Sequence, residues 1–256
     1  MTELVVFSDL DGTLLDHGNY SFEPARPALA ALAERNIPLI LATSKTAAEV
    51  ALLHRALDLG DWPAIVENGA GLFRPGKAAT DTARYDALRA VLDALPPDLR
   101  SGFTGFGDMS DAEVARITGL PLQDAALARR RQHSEPGLWQ GDDTTREAFL
   151  SALAEKAIAA RSGGRFLTLS HGRTKADGLR EIASALGAAR TLALGDAPND
   201  TDMLQAADMG VIIRNDHGPG IPPLPGEAKG TIRRSTLPGP QGWASEVLRI
   251  LNEIED

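Results

Sequence analysis

Apolar residues occur along this chain in short uninterrupted runs that alternate with helical spacings, and that order sets the fold. Leu4-Val5-Val6-Phe7 is a continuous apolar run, as in a strand covered on both faces, and it stops at Asp9. Ala25, Ala28, Leu29 and Leu32 then recur at helical spacing, with Pro24 suited to a first turn. A second strand is predicted over 37–41, ending at Thr43. Val50, Leu53 and Leu57 predict a helix that Gly60 stops, and 64–66 reads as a third short strand. Strand–helix–strand–helix order requires right-handed crossovers and a largely parallel sheet.

From about Thr80 to Ser170 the pattern loosens. Helices are expected over 85–95, 111–118, 122–131 and 144–160, and strands around 101–106, 137–139 and 165–170, with Gly- and Pro-bearing turns between them. Alternation resumes with a helix over 175–186, a strand over 190–194, a helix over 200–206 and a strand over 209–213. Residues 217–230 are too rich in Pro and Gly for regular structure, and the last helix, 243–254, carries Trp243, Val247, Leu251 and Ile254 on one face. The predicted architecture is α/β: a Rossmann-like, mostly parallel core sheet built from residues 1–80 and 171–256. Residues 81–170 form an inserted α+β cap.

Composition narrows the function. In 256 residues, 26 Lys and Arg face 35 Asp and Glu, a net charge of −9 that disfavours nucleic acid or an anionic membrane as partner. There is no cysteine, so disulfides, thiolate zinc sites and cysteine nucleophiles are excluded. No apolar run approaches the ~18–20 residues needed to span a bilayer. The opening Met-Thr-Glu-Leu-Val-Val-Phe lacks a basic leader region, so a cytoplasmic location is expected.

The candidate chemistry collects at predicted strand ends, where a parallel sheet binds ligands. Asp9-Leu10-Asp11-Gly12-Thr13 follows the first strand, and alternation along an extended chain can send both carboxylates to one side. Such a pair repels unless a divalent cation or a shared proton relieves it. Gly195-Asp196-Ala197-Pro198-Asn199-Asp200 repeats the arrangement, Leu41-Ala42-Thr43-Ser44-Lys45 sets hydroxyls at another strand end, and Lys175 opens a helix. Singly, each has a plain structural explanation: an acidic turn, a helix cap, a solvated lysine. Their conjunction in this order does not.

That order resembles the four motifs of the haloacid dehalogenase superfamily of phosphotransferases, and the large insertion between Thr43 and Lys175 resembles its type-IIB cap. A closer similarity is to the mannosyl-3-phosphoglycerate phosphatases. It is carried by Asp16-His17, Ala42-Thr43-Ser44-Lys45-Thr46, Val66-Glu67-Asn68-Gly69, Gly105-Phe106-Gly107-Asp108-Met109-Ser110, Ser134-Glu135-Pro136 and Gly239-Pro240-Gln241-Gly242-Trp243. Ala176 departs from the glycine usual after the lysine.

The resemblance implies a Mg²⁺-dependent phosphatase acting on 2-O-mannosyl-3-phosphoglycerate to give mannosylglycerate, a compatible solute. Asp9 is the expected nucleophile, forming an aspartyl-phosphate, and Asp11 the general acid and base. Thr43 and Lys175 are expected on the phosphoryl oxygens. Mg²⁺ is expected at Asp9, Asp196, the Asp11 carbonyl and, through water or by orienting Lys175, Asp200. Substrate contacts are expected from Ser44, Lys45, Glu67, Asn68, Arg131 and Arg165, with Arg131 the preferred reader of a glycerate carboxylate. Cap motion is expected about hinges near Thr80 and Ser170. Glucosyl-3-phosphoglycerate or another sugar phosphate is the alternative substrate. A phosphomutase is disfavoured, because Leu14-Leu15-Asp16-His17 lacks the Pro-Arg continuation of the phosphomannomutases. A non-catalytic sugar-phosphate sensor fits less well, since all the central side chains are present.

Overall fold

A computed structural model describes residues 2–77 and 81–255; the hinge expected near Thr80 lies outside the described residues. The chain begins with β1 (Thr2–Ser8), α1 (Arg26–Glu34), β2 (Leu39–Leu41), α2 (Ala47–Ala56), β3 (Ala64–Val66) and β4 (Gly71–Phe73). Next come α3 (Ala83–Asp93), α4 (Pro97–Arg100), β5 (Phe103–Gly105), α5 (Asp111–Thr118) and α6 (Leu122–Ala128). They are followed by β6 (Ser134–Trp139), α7 (Asp143–Ala154), β7 (Ala159–Gly163) and β8 (Phe166–Ser170). The remainder is α8 (Lys175–Leu186), β9 (Ala188–Gly195), α9 (Thr201–Ala206), β10 (Met209–Arg214), α10 (Pro225–Ala228), β11 (Ile232–Pro238) and α11 (Gly239–Glu255).

Five strands form the main sheet in the order β11-β10-β9-β1-β2, with every neighbouring pair parallel. The run at β1 is apolar throughout because both faces are covered. Leu4 and Val6 point into one cluster, with Leu32 of α1 and Trp243, Val247 and Leu251 of α11. Val5 and Phe7 point into the other, with Leu179 and Ile182 of α8 and Met203 and Leu204 of α9. Each such side chain contributes roughly 1.5–3 kcal/mol on burial. β3 and β4 form an antiparallel pair joined to β2 by a parallel bridge between Ala42 and Ile65.

The inserted stretch builds its own sheet, β5-β6-β8-β7, antiparallel throughout. Its helices cover it with separate apolar clusters, one around Leu88, Phe103, Phe149 and Leu169, another around Phe106 and Val114. Each kind of sheet is thus packed by its own pair of apolar clusters.

Four expectations change. The helix expected over 144–160 ends at Ala154; Ala157 takes a left-handed conformation (φ 57°), and the following residues return as β7. β4 and β11 are strands the pattern did not announce, and α10 is a single turn within 217–230. The last helix also starts earlier, at Gly239.

Candidate active site

Strand ends deliver the acids. The Asp9 amide donates to the Leu194 carbonyl at 2.9 Å, which sets the residue after β1 beside the end of β9. From β9 the chain enters the loop that holds Asp196 and Asp200. Opposite, Thr174 caps α8: it accepts from the Asp177 amide, and Asp177 bonds back to the Thr174 amide. This fixes Lys175 as the first residue of the helix, pointing inward with a side chain 0% exposed.

These elements converge. Lys175 Nζ donates to Asp9 Oδ1 and to Asp200 Oδ1, both at 2.6 Å. Carboxylate oxygens of Asp9, Asp196 and Asp200 lie within 4.8 Å of one another, all three residues buried. Every remaining oxygen with a partner is held by a neutral donor. Asp200 Oδ2 accepts from the Asp196 and Ala197 amides at 3.1 Å. Asp196 Oδ1 accepts from Thr13 Oγ1 and Oδ2 from Asn215 Nδ2, each at 2.6 Å. Gly12 is obligatory here: its φ is +84°, and a Cβ would press on Asn215 Nδ2 and Asp196 Oδ2.

The charges do not balance. Three buried carboxylates share one ammonium. Burial and then the Asp200 carboxylate push Asp9 well above the usual carboxylate range, against the pull of Lys175. Burial likewise raises Asp196. Burial lowers Lys175, but Asp200 and Asp9 outweigh it and hold the ammonium above its ordinary value. A hard divalent cation suits such an arrangement: the donor set is all oxygen, anionic in excess, and braced by Thr13 and Asn215.

Asp11 stands apart from the triad. Its Oδ2 pairs with Lys45 Nζ at 2.8 Å, while its Oδ1 is buried without a partner. Lys45 also lies over the Tyr20 ring, 5.4 Å from its centroid. Thr43 is buried; its amide donates to the Ile65 carbonyl, and its own carbonyl accepts from the Asn68 amide, both at 2.9 Å. Behind Asp9, the Trp243 indole N–H donates to Ser8 Oγ (2.9 Å), which donates to the Asp9 carbonyl (2.7 Å). Trp243 is a core residue, as its helical stripe implies, and also the last link of a chain bracing the Asp9 backbone.

A cleft of about 760 Å³ opens above, walled by both parts of the chain. Ser44, Lys45, Glu67, Asn68, Arg131 and Lys175 line it. Arg165 does not. It is exposed, with its guanidinium 5.7 Å from the Phe166 ring centroid, and Arg161 of β7 is the hairpin arginine on the wall. Arg131 is buried with its donors engaged: Nη1 to the Ser44 carbonyl (3.2 Å), Nη2 to Ser134 Oγ (2.7 Å) and Nε paired to Glu67 (3.3 Å). Glu67 is tied the same way, and Asn68 Oδ1 accepts from Asn199 Nδ2 at 3.1 Å. Sequence reasoning missed Asn215. It follows the C-terminal end of β10 by one residue, so the strand-edge rule used elsewhere would have found it.

The family model for haloacid dehalogenase-like hydrolases matches residues 6–94 and 140–218. A glucosyl-3-phosphoglycerate/mannosyl-3-phosphoglycerate phosphatase of Persephonella marina is 33% identical, over 98% of this chain and 98% of its own length. Among solved structures, the sucrose-phosphatase of Synechocystis, determined with sucrose and phosphate, superposes with a TM-score of 0.63 at 17% identity, covering 100% of this chain and 99% of that one. A haloacid dehalogenase subclass IIB sugar phosphatase gives 0.64 at 19% identity, covering 96% and 98%. Those two likenesses concern the fold; no helix among the described residues is long and apolar enough to cross a membrane. On the family match and the Persephonella marina relative together, the chain belongs to the haloacid dehalogenase-like hydrolase family.

Proposed function

We propose that this hydrolase is a Mg²⁺-dependent phosphatase that removes phosphate from 2-O-mannosyl-3-phosphoglycerate, releasing mannosylglycerate. The single observation that carries the reading is Lys175 held at 2.6 Å from both Asp9 and Asp200 inside a triad of buried acids. The substrate class is supported by the relative matched over nearly its whole length.

Phosphate monoesters resist attack because their oxygens are anionic, so catalysis consists of neutralising them and aligning the nucleophile. Asp9 is the nucleophile: an oxygen of its carboxylate bonds to phosphorus as the ester oxygen leaves, and water then cleaves the aspartyl-phosphate. Asp11 protonates the leaving oxygen and later takes the proton of that water. Lys175 supplies a point charge to the phosphoryl group and holds the Asp9 carboxylate in place, while Asp200 orients Lys175. Thr43 donates a hydrogen bond to a phosphoryl oxygen. Asp9, Asp196 and the Asp11 carbonyl would hold Mg²⁺, which when bound offsets the acidic excess and the substrate's negative charge. Residues 1–80 and 171–256 serve as catalytic core and 81–170 as the cap that sets specificity. Ser44, Lys45 and Asn68 contact the sugar-glycerate part from below. The cytoplasm, where a compatible solute accumulates, is the expected location.

A panel of phosphorylated compounds tests this. Purified protein with Mg²⁺ is offered mannosyl- and glucosyl-3-phosphoglycerate, sucrose phosphate and hexose phosphates. The expected result is fastest phosphate release from the glycosyl-3-phosphoglycerates. Release from none of them overturns the hydrolase reading, and preference for a hexose phosphate overturns only the substrate. Because the relative's name covers both sugars, a dual glucosyl and mannosyl specificity is the second reading. In ¹⁸O water, a phosphatase puts solvent oxygen into the released phosphate; a mutase does not.

A further inference from the structure

Apart from His171 Nε2, 3.0 Å from the Arg84 carbonyl where the two parts are joined, polar contacts between the inserted stretch and the rest of the chain are distributed very unevenly. On one side lies a seam. The Glu67 carboxylate, on a side chain 0% exposed, accepts from the Gln132 amide (2.9 Å), the His133 amide (3.1 Å) and Ser134 Oγ (2.7 Å), and pairs with Arg131 Nε (3.3 Å). Arg131 reaches on to the Ser44 carbonyl, and Thr46 Oγ1 donates to the Leu127 carbonyl at 3.0 Å. On the other side, beyond the cleft, Arg161 of β7 meets Asp202 of α9 at 3.5 Å, with side chains 52% and 53% exposed.

Charge-assisted bonds in a buried setting are stronger than neutral ones, whereas a half-exposed ion pair contributes little. The backbone at Glu67 also points to a position fixed for a purpose. Glu67, Asn68 and Gly69 all take left-handed conformations, at φ 51°, 57° and 95°. That is costly for the two non-glycine residues and persists only where surroundings impose it. The turn touches everything that matters. Asn68 bonds the Thr43 carbonyl and the Asn199 side chain, and Gly69 lies so close to the Thr174–Lys175 backbone that a Cβ would collide with it.

We infer that Glu67 is a positioning residue that pins residues 131–134 as the pivot of the cap, so that the cleft opens at the Arg161–Asp202 side while the seam stays shut. Four donors from one tetrapeptide make the clasp the last contact to break, and the solvated pair at the mouth the first. Because the pivot turn also abuts Thr43, Asn199 and Lys175, seating of the cap and registry of the phosphoryl-binding groups are set by the same three residues. The relevance to catalysis rests on the phosphatase reading above; the location of the pivot does not.

Spin-label distances read the pivot directly, and the absence of native cysteine makes the labels unambiguous. One pair, Ser162→Cys with Gln205→Cys, spans the mouth; the other, Arg130→Cys with Leu52→Cys, spans the seam. In ligand-free protein the mouth pair is expected to give a broad distribution and the seam pair a narrow one. Mg²⁺ with orthovanadate narrows the mouth and leaves the seam alone. Glu67→Gln broadens the seam, and KM for the best substrate of the panel rises about tenfold while kcat changes less than threefold, since seating rather than phosphoryl chemistry is disturbed. A seam as broad as the mouth in unsubstituted Glu67 protein, or a seam that stays narrow in Glu67→Gln, overturns the inference. The ligand-free comparison needs no substrate, so it stands even if the panel shows no phosphate release. Should Glu67→Gln fail to fold, the two label pairs in the Glu67 protein still decide.

Discussion

The floor of the cleft and the seam under the cap both bury carboxylates, but on opposite terms. At the floor, Asp9, Asp196 and Asp200 crowd within 4.8 Å and share one lysine, and Asp9 is driven far from its ordinary protonation behaviour. At the seam, Glu67 has four donors from residues 131–134, including one guanidinium. Repulsion left standing marks a place that a cation and a phosphoryl group complete. Full satisfaction marks a place that holds two parts of the chain together. Identical chemistry in a side chain therefore means opposite things, and only the donors around it tell which.

Asp9→Asn should break the contrast most. Turnover is expected to fall by about 10⁴-fold or more, measured as phosphate release, because the proposed nucleophile is gone. Stability should not fall with it. Asp9 is raised in the folded state, so the native protein binds more protons than the unfolded chain between the ordinary carboxylate value and the raised one. Stability of the metal-free protein therefore decreases as pH rises through that window. The melting temperature of Asp9→Asn, relative to the unsubstituted protein, should rise over the same pH range, and Mg²⁺ should close the gap. A melting temperature well below that of the unsubstituted protein would show that Asp9 is structural instead.

Glu67→Ala should do the reverse: a loss of about 3 kcal/mol in denaturant unfolding, because Arg131 and two amides lose their acceptor. Next in size is the metal. At a hundredfold excess over its dissociation constant, Mg²⁺ should stabilise the protein by about 2.7 kcal/mol, and chelation should remove both that gain and the activity. Asp196→Asn should abolish the gain; a full response there would place the ion elsewhere. The smallest effect belongs to Trp243→Phe, which keeps an aromatic ring but drops the bond to Ser8 and leaves part of the buried indole's volume unfilled. About 2 kcal/mol of stability and a few-fold of kcat are expected to go, by thermal unfolding and initial rates.

Legibility in the sequence followed how local each signal was. The acidic floor was legible because an apolar run that stops abruptly in carboxylates needs no tertiary information to locate, and the lysine carried its own cap in Thr174 and Asp177. The strand β7, Ala-Ala-Arg-Ser-Gly, has no period-two pattern to read. β11 places Arg233 and Arg234 side by side on a sheet edge, and β4 is only three residues long. The partner of Asn215 could not be read at all, and Arg131 was read as a ligand contact, for a different reason. Their partners lie 19 and 64 residues away, at Asp196 and Glu67, and a lone polar residue does not announce which acid it will meet. An arginine expected at the end of a cap helix invites a ligand; the helix stops at Ala128, and in the loop that follows the packed chain claims Arg131 first.

The bond from Trp243 back to Ser8 spans 235 residues. During synthesis at roughly 5–20 residues per second, the segment bearing Asp9 leaves the ribosome on the order of tens of seconds before the indole that braces its carbonyl. A nascent chain stalled before α11 would therefore display every acid of the floor with one face of the sheet covered by α1 but not by α11. The brace behind Asp9 waits on the arrival of α11.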